Sequence, residues 1–481
     1  MAVIFKIFNN INKEYTVKLG EKKLWTGDSY MRRLFIHKNT ILMIVCIVLQ
    51  QILVCSSTLF IAILSRNVIS GQAIIIWLIL FLLSLFLAYI PSIGTNYFLN
   101  ASIFESFKRY IQDFENTFSY HSELYSDLDL RKEKQPYLNQ ESWLVIDEFY
   151  KFVSDWLSVT LSVVFNVVML VFIIDKLLIA AYIMAAILMV ISIFITSKKI
   201  SKASEKSQNS RTSMMYVLLS GWDNIFISNS YNLRLWNKSF SKEHTRAKED
   251  QLKSTILVES TTTLSMFLSL IPVVACILFL IQQNEHDAAL LIILITTLPR
   301  QISIIQYIGQ IAWYSAQWQG MKARILGIQS ALCLPEDCSK YIGNINWDKL
   351  RISIGQSEYK VSSIEEIMNL SNQYNPCRIT IQGSNGSGKS TLLFRLKSLL
   401  KDSAYLLPTQ SLLIFDQISD TKLSTGEKMI SCLNEVEDNV TSKILLLDEW
   451  DANLDFTHIS LISDRLEELA KEYCIIEVRH R

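Results

Sequence analysis

Six continuous apolar runs of about 20 residues occupy the first two thirds of the chain, and they limit the folds open to it. A helix of about 20 apolar residues crosses a hydrocarbon core of about 30 Å. Within lipid, backbone polar groups must bond inside their own segment, and these runs lack the alternation of barrel strands. The sequence therefore predicts six membrane helices, at 41–64, 73–94, 157–175, 177–196, 258–281 and 288–309.

Basic residues give these helices an orientation. Eight Lys or Arg precede the first run and eleven lie between Lys198 and Lys253, whereas the turns at 175–176 and 282–287 hold one between them. By the positive-inside rule, both termini and the two long polar segments, 95–156 and 197–257, are expected in the cytoplasm. Apolar residues at helical spacing in these segments predict that the membrane helices continue beyond the lipid.

Polar residues inside the spans are costly unless they face a cavity or each other, so they are either cargo contacts or helix–helix links. The candidates are Gln50, Gln51, Asn96, Asn166, Glu259, Thr296, Thr297 and Arg300. Glu259 and Arg300 are expected near span ends or in a cytoplasmic extension. At the tip of the second long segment, Trp222 and Trp236 either pack between returning helices or form a docking surface.

The last third has the pattern of an α/β domain with a phosphate-binding loop. A strand at 378–382 leads into a glycine-rich stretch and then an apolar-periodic helix, which is G-x-x-x-x-G-K-[ST] in its strand–loop–helix setting. Backbone N–H groups would wrap phosphates, Lys389 would reach the β- and γ-phosphates, and Ser390 would bind Mg²⁺. The predicted ATP-binding residues are Gly383, Ser384, Asn385, Gly386, Ser387, Gly388, Lys389, Ser390 and Thr391.

A second buried strand, at 443–447, ends in Asp448 and Glu449. Asp448 would hold Mg²⁺ through water, and Glu449 would polarise the attacking water. The alternative is a pair of solvated acids at a strand end.

The net charge of +1 provides no general electrostatic field that would attract polyanions, so no nucleic-acid partner is expected. No pair of cysteines has metal-ligand spacing.

Between these two motifs lies Leu423-Ser424-Thr425-Gly426-Glu427, and Asp455 and His480 follow the acidic pair. This order of motifs resembles the ATP-binding cassette transporters. The resemblance implies that Glu449 is the catalytic base, Asp455 the D-loop aspartate and His480 the switch histidine. It implies that Gln410 senses Mg²⁺, and that Tyr359, with Trp347 as a competitor, stacks on adenine. Ser424, Thr425, Gly426 and Glu427 would complete the ATP site of another subunit.

The resemblance implies a six-helix transmembrane domain of exporter type, 1–330, fused to a P-loop α/β nucleotide-binding domain, 342–481. The expected function is ATP-driven export of a peptide-like compound by a dimer, either of two copies or with a related half-transporter, in a bacterial plasma membrane. Short stretches resemble exporters of cyclic peptides or lasso-type microcins. A lipid flippase and a membrane-tethered, non-transporting ATPase of regulation or immunity stay open. The ATPase domain is shorter than usual, because only twelve residues separate Gln410 from Leu423.

Overall fold

The chain forms two compact units. The first comprises Met1–Ile11, Ser29–Phe107 and Trp143–Leu326, and the second comprises Asn12–Asp28, Lys108–Ser142 and Gly327–Arg481. The structure is a computed structural model, and it describes residues 16–18, 24–26, 32–70, 74–284, 287–335, 344–408, 413–416, 425–452 and 454–479. Near the N-terminus, β1 and β2 pair antiparallel, and their bounds are Thr16–Lys18 and Leu24–Thr26.

Long helices make up the region from residue 38 to 331. In chain order they are α1 Lys38–Ser70, α2 Ile74–Leu87, α3 Tyr89–Phe118, α4 Leu128–Pro136, α5 Ser142–Ile173, α6 Leu177–Leu219, α7 Gly221–Ile227, α8 Ser230–Gln283 and α9 Ala288–Ala331. Among the described residues, six helical segments are long and apolar enough to cross a membrane. Each of these segments contains one of the predicted apolar runs. Two runs extend slightly further: residue 73 of the second run lies outside the described residues, and residues 174–175 of the third run lie in the turn after α5. The prediction of six span-length helices is confirmed.

The helices also extend beyond the apolar runs, as predicted. Helix α6 has 43 residues and α8 has 54, and both are longer than a bilayer requires. The short connections end in caps, because Asp175 accepts from the Leu177 N–H at 2.7 Å, and Asp287 accepts from the Ala289 N–H at 3.0 Å. Such side-chain acceptors satisfy N–H groups that a helix leaves unpaired at its start.

The core of the first unit lies where α5 and α8 end and where α6 and α9 begin. Leu170, Leu178, Ile277 and Leu294 are buried together there. Further along, the pairing of α6 with α8 becomes polar, and the buried Asp250 accepts from Ser210 at 2.7 Å and pairs with Lys206 at 2.8 Å. The span-length apolar part of this helix pair therefore continues into a part held together by polar contacts.

The two tryptophans at the tip of the α6–α8 pair have different environments. Trp236 donates to the Val217 carbonyl at 3.1 Å, and its ring lies against Gly221, so it packs between the helices. Trp222 is 72% exposed and contacts only the exposed ring of Phe226 among the rings described there. The packing interpretation therefore holds for Trp236, whereas Trp222 lies on an exposed apolar surface.

The second unit contains a six-stranded mixed sheet with the order β4-β3-β5-β8-β7-β6. Its elements in chain order are β3 Leu350–Ile354, β4 Ser357–Tyr359, α10 Ile364–Gln373, β5 Cys377–Gly383, α11 Lys389–Leu400, β6 Ala404–Leu407, α12 Thr425–Asn439, β7 Ile444–Asp448, α13 Phe456–Leu469 and β8 Cys474–Val478. Strands β5, β8, β7 and β6 are parallel, and β3 runs antiparallel to β4 and β5.

Helices cover both faces of this sheet. On one face α10 and α11 pack through Ile367, Leu392 and Leu396, and on the other α12 and α13 pack through Leu433 and Leu466. All five residues of β8 are buried, as expected for a parallel strand covered on both sides. In such sheets ligands bind outside the carboxyl ends of the strands, where the loops after β5 and β7 lie.

Candidate functional site

The loop from Gly383 to Gly388 links β5 to α11, and its end glycines have no room for a side chain. A Cβ at Gly383 would lie 2.7 Å from the Lys349 carbonyl oxygen. Gly388 has φ +91°, and its Cβ would lie 2.7 Å from the Asn344 carbonyl oxygen. The Asn346 N–H donates to the Ser387 carbonyl at 3.0 Å, so the segment before β3 lies against the loop. The Ser387 hydroxyl is buried and has no hydrogen-bond partner among the described residues.

Helix α11 begins with a cation and a hydroxyl. The Lys389 ammonium is buried, donates to the Gly383 carbonyl at 2.8 Å and lies 3.9 Å from Glu449 Oε1. Ser390 donates to Asp448 Oδ1 at 2.9 Å. The first N–H groups of a helix lack internal partners and carry partial positive charge, so an anion placed before α11 would meet both N–H groups and Lys389.

Two carboxylates with different environments follow β7. Burial raises the pKa of Asp448 to about 6, the Ser390 hydrogen bond opposes that rise, the charge of Glu449 adds to it, and Lys389 lowers it. Glu449 is half-buried, has φ +42°, and donates its N–H to the Val478 carbonyl at 3.0 Å. A left-handed backbone is costly for a glutamate and is typical of functional positions held by their surroundings.

The Ser390–Asp448 pair fits a magnesium ion. Mg²⁺ favours oxygen ligands and commonly takes only one or two carboxylates, leaving its other positions to phosphate and water. No group of three or more His, Cys, Asp or Glu in the described part of the chain could hold a metal. A protein-only metal cage is therefore not present in that part, whereas a shared phosphate–metal site is compatible with it.

A buried ionic network lies beneath the acidic pair, and the sequence interpretation missed it. Glu477 on β8 is fully buried and accepts from Arg378 at 3.0 and 3.1 Å, from Thr380 at 2.9 Å and from the Trp450 indole at 2.7 Å. Arg479 Nε lies 3.0 Å from Glu477 Oε1, and its guanidinium lies over the Trp450 ring. The signal available in the sequence was a lone glutamate within an apolar strand. The network fixes the residue that follows Glu449.

The D-loop candidate Asp455 and the described signature residues Thr425, Gly426 and Glu427 lie at two helix starts. Asp455 caps α13 by accepting from the His458 N–H at 2.8 Å, and that bond, followed by bonds from Thr457 and the His458 ring, lowers the Asp455 pKa to about 2. Helix α12 begins at Thr425, and Gly426 lies directly against the His458 ring, where a Cβ would clash. Glu427 is exposed in the first turn. Gln410, Ser424 and His480 lie outside the described residues.

The two aromatic candidates for adenine stacking lie in different places. Tyr359 ends β4, two strands from β5, and donates to the Tyr374 hydroxyl at 3.2 Å. Trp347 directly follows Asn346, whose N–H bonds the glycine-rich loop. The stacking role of Tyr359 stays a prediction, and the backbone contact places the segment of Trp347 against the loop.

A polar segment between α3 and α4 docks on α11, still within the second unit. Ser122 donates to the Phe394 carbonyl at 2.8 Å, and Ser398 donates to the Tyr120 carbonyl at 3.1 Å. The rings of Tyr125 and Phe394 lie 5.0 Å apart. This docking segment, residues 120–125, therefore contacts the same helix that begins with Lys389 and Ser390.

Comparison with known proteins adds no family assignment. No protein-family model matches the chain, and a search of curated proteins finds no match.

Proposed function

We propose that this chain is one half of a membrane exporter that is driven by ATP hydrolysis and carries a peptide-like cargo. The observation that carries the proposal is the convergence of Lys389, Ser390, Asp448 and Glu449 at the start of α11. In the proposed reaction these groups would supply phosphate neutralisation, metal ligands and a base within one loop cluster. Six span-length helices in the same chain favour transport as the use of that chemistry.

Each residue would have a separate role in hydrolysis. Lys389 would exchange the Gly383 carbonyl for the β- and γ-phosphate oxygens of ATP. Ser390 and Asp448 would hold Mg²⁺, which would neutralise charge on the phosphates. Glu449, fixed through its N–H to Val478, would orient the attacking water and accept its proton. The α11 N-terminus would supply N–H groups to the phosphate chain.

A second copy of the chain is the proposed partner. The chain carries one glycine-rich loop and one Ser424–Glu427 signature, and a site closed across two subunits needs both motifs from different copies. Gly426 at the start of α12 would offer its helix N-terminus to the ATP of the partner. The exposed apolar surface at the tip of the α6–α8 pair, with Trp222 and Phe226, is available for such an assembly.

The docking segment provides a route for coupling. Helix α3 belongs to the span-length segment Ile74–Phe118 and ends shortly before the docking segment, which bonds α11 through Ser122 and through Ser398 of α11. Displacement of α11 when ATP binds would therefore reach the membrane helices. This route compensates for the short stretch 408–424 between β6 and α12, where cassettes of this class normally insert a helical subdomain.

The test is ATP hydrolysis and ATP-dependent peptide uptake by the purified protein in sealed vesicles. Glu449→Gln should lower hydrolysis by about 10²–10⁴-fold, the usual contribution of a general base, and should abolish uptake. The matched control Glu472→Gln, an exposed glutamate in a turn, should change neither rate. Hydrolysis that persists in Glu449→Gln would refute the assignment of the base. Hydrolysis without any cargo movement would support the tethered ATPase instead of the exporter.

A lipid flippase has one observation in its favour. A groove of about 710 Å³ between α5, α6 and α9 is lined almost entirely by apolar residues, among them Val167, Tyr182, Val190, Phe194 and Ile308. An acyl chain would fit such a lining better than a polar peptide. Translocation of a fluorescent phospholipid in the same vesicles, with no uptake of peptide, would favour the flippase.

A further inference from the structure

Arg300 lies deep within a span-length helix and not near its end. It follows the start of α9 at Ala288 by twelve residues, which at 1.5 Å per residue is about 18 Å along the axis. Arg300 also lies inside the predicted apolar run 288–309, whose length matches a hydrocarbon core of about 30 Å. Leu294 and Ile304, on either side of Arg300 in the helix, are buried in the core of the first unit. The sequence-based expectation for Arg300 was a position near a span end or in a cytoplasmic extension, and its neighbours along α9 are buried core residues.

The charge of Arg300 has only a neutral partner in the described part of the chain. Its Nη2 donates to the hydroxyl of Ser57 on α1 at 3.1 Å. Ser57 is fully buried, and its hydroxyl donates to the Val54 carbonyl at 2.6 Å. No ion pair joins the Arg300 guanidinium to a carboxylate among the described residues, although that group has five N–H donors. One hydroxyl uses a single donor and leaves the charge uncompensated.

Other polar side chains link α1, the helix of Ser57, to α5 and to α9. Thr58 on α1 donates to Asn166 on α5 at 3.3 Å, and Ser65 lies 3.4 Å from Thr296 on α9. Next to Arg300 in sequence, the side-chain amide oxygen Oε1 of Gln301 is buried and has no hydrogen-bond partner among the described residues. For the polar candidates Asn166 and Thr296, helix–helix bonding is the observed role. Arg300 differs from them because bonding to a hydroxyl does not satisfy a cation in an apolar span.

We propose that Arg300 binds an anionic group of the transported cargo, and that for a peptide-like cargo this group is a carboxylate. This inference rests on the export function proposed above. Arginine forms two parallel hydrogen bonds to a carboxylate and stays charged inside a protein, so it suits this role better than lysine. The cargo carboxylate would bring the missing negative charge, and the α1–α5–α9 polar contacts would hold the helices that frame it.

The experiment compares two forms of one probe peptide, N-acetyl-Leu-Leu-Phe as the free acid and as its amide. ATP-dependent uptake of each is measured in vesicles containing the full-length protein. The wild-type protein should prefer the acid by about tenfold, equivalent to about 1.4 kcal/mol. Arg300→Gln should reduce the acid-to-amide ratio to near one, and Arg300→Lys should keep an intermediate ratio. The control Ser57→Ala removes the hydroxyl partner, keeps the charge and should preserve the ratio.

The possible outcomes separate this inference from the proposed function. Equal uptake of acid and amide by the wild-type protein would overturn the assignment of Arg300 and leave export intact. An Arg300→Gln variant that unfolds more readily but keeps the wild-type ratio would also overturn it, because the arginine would then be structural. Hydrolysis of ATP with uptake of neither form would overturn export itself and, with it, the cargo assignment.

Discussion

The buried, ionised carboxylate of Asp448 lowers the free energy of unfolding, and its replacement by asparagine should therefore stabilise the protein. The side chain is only 7% exposed, and burial, as the largest contribution, raises its pKa from an ordinary 3.8 to about 6. A rise of about two units corresponds to about 3 kcal/mol of destabilisation when the group is ionised in the folded state. An asparagine side chain at this position would have no charge to bury, and its carbonyl could still accept from Ser390.

The direction of the Asp448 pKa shift determines how this effect on stability depends on pH. Because the folded-state pKa is the higher one, the folded protein binds more protons than the unfolded chain between about pH 4 and 6. The penalty is therefore absent below about pH 4 and complete above about pH 6. Asp448→Asn should raise the midpoint of thermal unfolding at pH 7.5 by about 6–12 °C, at about 2–4 °C per kcal/mol. The gain should stay constant down to about pH 6 and then shrink between about pH 6 and pH 4.

Thermal unfolding of the detergent-solubilised protein, followed by tryptophan fluorescence without nucleotide, measures the shift. Asp455→Asn is the matched control, since the Asp455 pKa is lowered to about 2 and this carboxylate stabilises the fold above about pH 4. Its replacement should therefore lower the midpoint. Added Mg²⁺ and ATP should stabilise the wild-type protein more than Asp448→Asn. A midpoint of Asp448→Asn that equals or falls below the wild-type value at pH 7.5 would refute the buried-charge reasoning.

Three further predictions concern contacts within the second unit. Tyr125→Ala removes a ring contact with Phe394 worth about 0.5–1.5 kcal/mol. Basal ATP hydrolysis should persist, whereas the stimulation of hydrolysis by cargo should fall severalfold. Unchanged stimulation would exclude this contact from coupling. Trp450→Phe keeps an aromatic ring but removes the hydrogen bond from the indole N–H to Glu477. The midpoint of thermal unfolding should therefore fall by an amount equivalent to about 1.5–3 kcal/mol. An unchanged midpoint would contradict a contribution from this hydrogen bond. Gly426→Ala should destabilise the protein, because the new Cβ would clash with the His458 ring. A second substitution in the same chain, His458→Ala, should restore much of the lost stability. Strictly additive effects of the two substitutions would show that the residues do not interact.

The sequence predicted best those features that follow from local pattern. Runs of about 20 apolar residues could only be helices in lipid, and all six appear as span-length helices. The strand–loop–helix around Lys389 and the acidic end of β7 are local too, and their order along parallel strands brings Ser390 to 2.9 Å from Asp448. A motif and its flanking periodicity are enough to predict such a contact.

Contacts between distant segments could not be predicted in the same way. The bond of Ser122 to the Phe394 carbonyl joins residues 272 positions apart, and nothing in the composition of 120–125 indicates it. Glu477 depends on Arg378 and Trp450, which only the pairing of β5, β8 and β7 brings together. Arg300 was expected near a span end or in a cytoplasmic extension, whereas it bonds Ser57 of α1 and lies between the buried Leu294 and Ile304 of α9.

The position of β8 has a consequence for biosynthesis. This strand is made after β7, yet it lies between β5 and β7 and pairs with both. Until residues 474–478 leave the ribosome, the nascent chain holds two separate sheet fragments, and the N–H of Glu449 lacks its Val478 acceptor. All six span-length helices are synthesised earlier. All six can therefore be complete before the loop cluster around Lys389 and Glu449 assembles, and, if the proposed function holds, a partly made chain would not hydrolyse ATP.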